Sequence, residues 1–103
     1  MLTASDTRCG EDDASGDAIV GHLKGAGHDA ARRALLPDER RQIADTVTTW
    51  AADMNIDAII VCGGTGVSPR DVTIEAVTPL LAGRLPGFGE LFRQLSYEEV
   101  GAA

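Results

Sequence analysis

Val61-Cys62-Gly63-Gly64-Thr65-Gly66-Val67-Ser68-Pro69-Arg70-Asp71-Val72-Thr73 is the stretch on which the reading of this chain turns. The β-branched run Ile59, Ile60 and Val61 ends abruptly in a glycine-rich turn. Glycines there let the backbone take positive φ and let its N–H groups approach a ligand with no side chain between. The turn carries a hydroxyl, a cation and a carboxylate and leads into a predicted helix. Such a turn at the carboxyl end of a strand is where open α/β sheets bind phosphate-bearing ligands. Two familiar motifs are excluded. No Gly-Lys-Ser/Thr follows at the spacing of a P-loop, and Pro69 stands where a dinucleotide fingerprint needs its third glycine.

Outward from this turn, α and β signals alternate. Upstream, residues 57–62 are predicted as a strand. A predicted helix from Asp38 to Met54 precedes it, with Ile43, Val47, Trp50, Ala51 and Met54 on one apolar stripe. Pro37 fixes φ at its start, and Asp38 and Glu39 place negative charge at the positive end of its dipole. Residues 28–36 read two ways: Ala30, Ala31, Ala34 and the leucines favour helix by propensity, and the short interval between Gly27 and Pro37 favours a strand, which is the reading taken. Ser15 is a plausible N-cap for a helix carrying Ile19, Leu23 and Ala26 and closed by Gly27. Met1 to Ala4 reads as a stub of strand, without the apolar approach of a central one. Downstream, Thr73 caps a short helix over Ile74 to Leu81. Phe88, Leu91, Phe92, Leu95 and Val100 form a last amphipathic helix after Pro86-Gly87. The order β-α-β-α-β-α-α predicts a parallel sheet covered on both faces, within one domain.

Composition narrows the function. The hydrophobic fraction is 44%, enough for a packed core. With 9 Lys+Arg against 16 Asp+Glu the formal charge is −7, which argues against nucleic acid as a partner. Cys9 and Cys62 form no C-x-x-C pair, and with two unrelated histidines they make no zinc pattern. Cys62 reads as a small core residue, and His22 and His28 as surface residues. No membrane-spanning run or signal peptide is visible, so a cytoplasmic location is expected. The acidic run Glu11, Asp12 and Asp13 reads as a solvated loop.

The chain resembles the MoaB/Mog family of molybdenum-cofactor biosynthesis proteins. The matching blocks run in family order: Leu2-Thr3-Ala4-Ser5-Asp6-Thr7-Arg8, Glu11-Asp12-Asp13-Ala14-Ser15-Gly16, Pro37-Asp38-Glu39 and Gly63-Gly64-Thr65-Gly66. Then come Pro69-Arg70-Asp71-Val72-Thr73-Ile74-Glu75-Ala76, Leu85-Pro86-Gly87-Phe88-Gly89-Glu90-Leu91-Phe92-Arg93 and Ser96-Tyr97-Glu98-Glu99-Val100-Gly101. The resemblance implies a three-layer α/β/α sandwich with a mostly parallel sheet, here one partial domain over residues 1–103, incomplete at the C-terminus. It implies a homotrimer, or a hexamer, that binds molybdopterin and transfers AMP from MgATP to its terminal phosphate. Asp71 and Asp38 match the catalytic acidic positions and are the expected Mg²⁺ ligands. Ser5, Asp6, Gly63, Gly64, Thr65, Gly66, Arg70 and Glu75 are the expected substrate- and nucleotide-binding residues. Two positions depart from the family pattern: Cys62 stands where threonine is usual, and Ile74 where proline is usual. A non-catalytic pterin carrier and an inactive fragment are the alternative readings.

Overall fold

Three short parallel strands organise the molecule, and the first of them is the central one. The structure, a computed structural model, describes residues 1–5, 13–64 and 72–101. Strand β1 (Leu2–Ala4) lies between β2 (Ala34–Leu36) and β3 (Val61–Cys62), giving the order β2-β1-β3. Leu2 pairs with Ala34 on one side and Val61 on the other, and Thr3 with Leu35 and Cys62. The pairing extends past the ladder through the Leu2 N–H to the Ile60 carbonyl (2.9 Å) and the Ser5 N–H to the Leu36 carbonyl (2.8 Å). The strand is as short as read from the sequence, yet it is central despite lacking an apolar approach. Leu2, Thr3 and Ala4 are the most enclosed residues of the sheet, at 0–2% exposure. Three residues suffice because neighbours on both sides satisfy their backbone groups, so no long apolar approach is needed.

Side-chain alternation along β1 assigns the layers. Leu2 and Ala4 share a core with Ile43, Val47 and Trp50 of α2 (Arg40–Ala51) and Ala76 of α3 (Thr73–Val77). Thr3 points the other way and donates its hydroxyl to Asp13 at the head of α1 (Ala14–Gly25). Helices thus lie on both faces of a parallel sheet, an incomplete α/β/α sandwich as expected from the chain's alternation of elements.

Several boundaries differ from expectation for identifiable reasons. Helix α1 is capped by Asp13, not Ser15: the Asp13 carboxylate accepts the Gly16 N–H at 3.1 Å. Asp13 is 2% exposed, which corrects its reading as part of a solvated loop. Glu11, Asp12 and Cys9 lie outside the described residues. The α1 chain reverses at Gly27, whose φ of +87° fits its predicted role as helix terminator. Helix α2 stops at Ala51, so Met54 leaves the stripe and is 97% exposed. Ala51 is exposed as well, and the buried stripe is Ile43, Val47 and Trp50. Each such side chain contributes on the order of 1.5–3 kcal/mol by leaving water. Of the predicted strand 57–62, the ladder takes in Val61–Cys62 and the carbonyl of Ile60, and Cys62 is half-buried rather than core.

After α3 the backbone tightens into a 3₁₀ turn, Thr78–Leu80, in place of the single helix predicted to Leu81. Pro79 lacks the N–H that another α turn would use. Thr73 is the first residue of α3 rather than its side-chain cap; Val72 holds the cap position without a side-chain hydrogen bond. Helix α4 (Pro86–Val100) begins at its proline and buries none of its residues. His22 and His28 are exposed, as read from the sequence. Among the described residues no helix is long and apolar enough to cross a membrane.

Candidate functional site

Because all three strands are parallel, their carboxyl ends deliver the following residues to one edge of the sheet. β1 delivers Ser5, β2 leads through Pro37 to Asp38, and β3 leads into Gly63 and Gly64. Ser5 is fixed there by its N–H on the Leu36 carbonyl, and Asp38 is half-buried just before α2.

The two glycines have separate geometric reasons. Gly63 has φ +94°, and a Cβ on it would run into the Ala4 carbonyl of the central strand. Gly64 has φ +61°, and a Cβ on it would overlap Thr73 Oγ1 and stand 2.8 Å from Asp38 Oδ1. The Thr73 N–H donates to the Gly64 carbonyl at 3.0 Å, closing the connection from β3 to α3. Asp38, Gly64 and Thr73, from three separate elements, therefore meet at one point. Asp38 Oδ1 and Thr73 Oγ1 are both enclosed from solvent, and Thr73 as a whole is 5% exposed.

The structure thus brings together Asp38, Gly63 and Gly64 of the expected site, with Ser5 on the same edge. Glu75 is exposed in the first turn of α3, where Thr73 and Ala76 are the buried positions. Asp6, Thr65, Gly66, Arg70 and Asp71 lie outside the described residues. Thr73 is the residue that sequence reasoning missed as a member of the site. Its signal was a hydroxyl two positions after Asp71 at a helix start, which is equally the signature of an ordinary cap.

A second cluster stands on the α1 face. Asp13 accepts hydrogen bonds from Thr3 Oγ1 (2.9 Å), the Gly16 N–H and Arg33 Nη2 (3.1 Å). Arg33 reaches Asp17 as well, at 2.6 Å. Burial pushes the Asp13 carboxyl up, but the bonds from Arg33, Thr3 and Gly16 outweigh it and hold it below the usual carboxylate range. With its partners in place this group ties β1, α1 and the approach to β2 together. It is architecture rather than chemistry.

A cavity of about 340 Å³ opens at the opposite edge of the sheet, among Met1, His28, Arg32, Trp50, Asn55 and Ile60. Those residues precede the strands. Ligands of parallel sheets bind beyond the carboxyl ends, so the glycine edge, and not this cavity, is the candidate site.

Comparison with known proteins identifies the family of the chain. Residues 1–103 match a family described as "Probable molybdopterin binding domain". The chain is 46% identical over 104 residues to molybdenum cofactor biosynthesis protein B of Bacillus subtilis, covering all of this chain and 61% of that protein. The Escherichia coli K12 protein of the same name is 37% identical over 103 residues, again covering 61% of its length. A crystal structure of molybdenum cofactor biosynthesis protein B superposes with a TM-score of 0.86 at 42% identity, over 98% of this chain and 63% of that one. The tungsten cofactor synthesizing protein MoaB of Pyrococcus furiosus gives 0.78 at 35% identity, over 97% and 62%. The chain thus spans about three fifths of the length of the relatives it matches.

Proposed function

The chain belongs to the family of molybdopterin-binding domains of molybdenum cofactor biosynthesis, and from that premise we propose that the protein carrying it adenylylates molybdopterin. A terminal phosphate oxygen of the pterin attacks the α-phosphorus of ATP. The bond from that phosphorus to the bridging oxygen of the β-phosphate breaks, and pyrophosphate leaves. The observation that carries this reading is the meeting of Asp38, Gly64 and Thr73 at the carboxyl edge of a parallel sheet. Phosphoryl-type transfer asks a protein chiefly for positioning and electrostatic stabilisation. The positive-φ turn at Gly63 and Gly64 supplies close backbone approach for a phosphate, and Asp38 supplies a carboxylate beside it.

The donor set suits magnesium. Asp38 presents a hard carboxylate oxygen beside Gly64. Mg²⁺ is commonly held by one or two carboxylates, its remaining ligands being water and substrate phosphates. Asp38, with Asp71 as the second carboxylate, would hold the ion. Bound with ATP, it neutralises phosphate charge and makes the α-phosphorus more electrophilic. The chain's own part is to orient the two phosphates in line.

Release of pyrophosphate by the purified protein with molybdopterin and MgATP tests the reading. Turnover that depends on both substrates is the expected result. Tight pterin binding without any Mg²⁺-dependent release would place the protein among non-catalytic carriers.

A further inference from the structure

The Thr73 hydroxyl is an anomaly in an otherwise ordinary helix start. It is enclosed from solvent, and among the described residues it has no hydrogen-bond partner. Leaving a buried hydroxyl unsatisfied costs on the order of 1–3 kcal/mol. Valine has nearly the same shape and would fill the position without that cost. Thr73 also sits where a donor has one obvious use. Around Gly64, the position a Cβ would take is met first by Thr73 Oγ1 and next by Asp38 Oδ1 at 2.8 Å. A carboxylate oxygen can only accept, and the hydroxyl carries a proton that no described residue accepts. The missing Cβ of Gly64 leaves the two oxygens facing the same space.

We infer that Thr73 is a positioning residue: its hydroxyl donates to Asp38 and sets the angle of that carboxylate when the site is loaded. The inference rests on the reading of Asp38 as a ligand of Mg²⁺. A carboxylate that binds a metal through one oxygen is held in direction by donors to its remaining lone pairs, and losing such an outer partner typically lowers metal affinity 10- to 100-fold. The Thr73 backbone is already anchored, since its N–H is bonded to the Gly64 carbonyl. Only the side chain therefore remains to be ordered. The unsatisfied hydroxyl is the residue's cost to stability, and the aligned carboxylate is its return in binding.

The test compares Thr73→Val, Thr73→Ser and Asp38→Asn with the wild type in the full protein, with Mn²⁺ alone as the probe. Bound Mn²⁺ is read by water-proton relaxation and folding by thermal melting. Thr73→Val should melt at or above the wild-type temperature and bind Mn²⁺ at least about tenfold more weakly. Thr73→Ser, which keeps the donor, should stay within about threefold of wild type on the same scale. A Thr73→Val protein that binds Mn²⁺ like wild type, while Asp38→Asn does not, overturns this inference and leaves the metal role of Asp38 standing. Wild type that fails to retain Mn²⁺, or Asp38→Asn that retains it equally, overturns both together. Should Thr73→Val not fold, the serine variant decides: a tenfold loss there, with the hydroxyl still present, contradicts the donor role.

Discussion

Gly64 and Gly21 show how differently two glycines of one chain are used. A Cβ at Gly64 meets Thr73 Oγ1 and Asp38 Oδ1 on a backbone with φ +61°, whereas a Cβ at Gly21, inside α1, has nothing within 4 Å. Gly64→Ala should therefore lose about 2–4 kcal/mol of stability, from left-handed backbone strain and displaced neighbours, and should weaken binding of phosphate-bearing ligands. Gly21→Ala should gain roughly 0.5–1 kcal/mol by the ordinary helix preference. Chemical denaturation of both variants checks the pair, and equal effects would remove the geometric argument for Gly64. Asp71 calls for a different assay, because its expected part is in turnover. Asp71→Asn should fold and bind pterin nearly as wild type while losing at least about a hundredfold in turnover, the scale for removing a positioned electrostatic group. Comparable turnover in the asparagine variant would reassign the catalytic carboxylate.

Among the elements, β1 depends on a side chain that lies ten residues further along. Asp13 binds Thr3 on β1, caps α1 through the Gly16 N–H and receives Arg33 before β2. Asp13→Ala strands a buried hydroxyl and a helix-end N–H and leaves Arg33 with Asp17 alone, and should cost about 2–3 kcal/mol. The pH dependence follows from the direction of the shift. The carboxyl is held below its ordinary value by its partners, so its contribution is complete above the unfolded-chain value of about 3.9 and is lost as pH falls through the lower folded value. The advantage of wild type over Asp13→Asn in melting temperature should thus be constant near neutrality and shrink in acid below about pH 4. A gap that instead narrows between pH 8 and 6 would point to another group. This cluster marks a limit of sequence reading. The parallel alternation, the stripe Ile43–Val47–Trp50 and the glycine turn were legible because period and backbone demand leave local signatures. Asp13 stands in an acidic run that looks solvated, and only the tertiary position of Thr3 and Arg33 makes it a buried cap. The same holds for β1, whose central place depends on two partners far along the chain, and for Thr73, whose neighbours Gly64 and Asp38 follow two other strands.

Taken whole, the molecule has one face without cover. Phe88, Leu91, Phe92 and Leu95 lie at i, i+3, i+4 and i+7 on α4 and are 73%, 56%, 62% and 53% exposed. Leu85 just before them is 84% exposed. A stripe of this kind is the pattern of a helix that buries one side, yet none of its residues is buried within these 103. Contiguous apolar surface beyond a few hundred Å² is uncommon on a free-standing monomer and drives association. Since a domain's total stability is only about 5–15 kcal/mol, an unpaid apolar face also tilts the balance towards aggregation and partial unfolding. The 103 residues expressed alone are therefore expected to bind a hydrophobic dye strongly and to elute well above monomer size. Replacing Phe92 and Leu95 with lysine and glutamate should cut dye binding several-fold while keeping the helical circular dichroism, because both positions face solvent and neither supports the core. A soluble monomer of the 103-residue chain with weak dye binding and a sharp cooperative melt would show that α4 folds back onto the sandwich and that the exposed stripe is not a true surface of the domain.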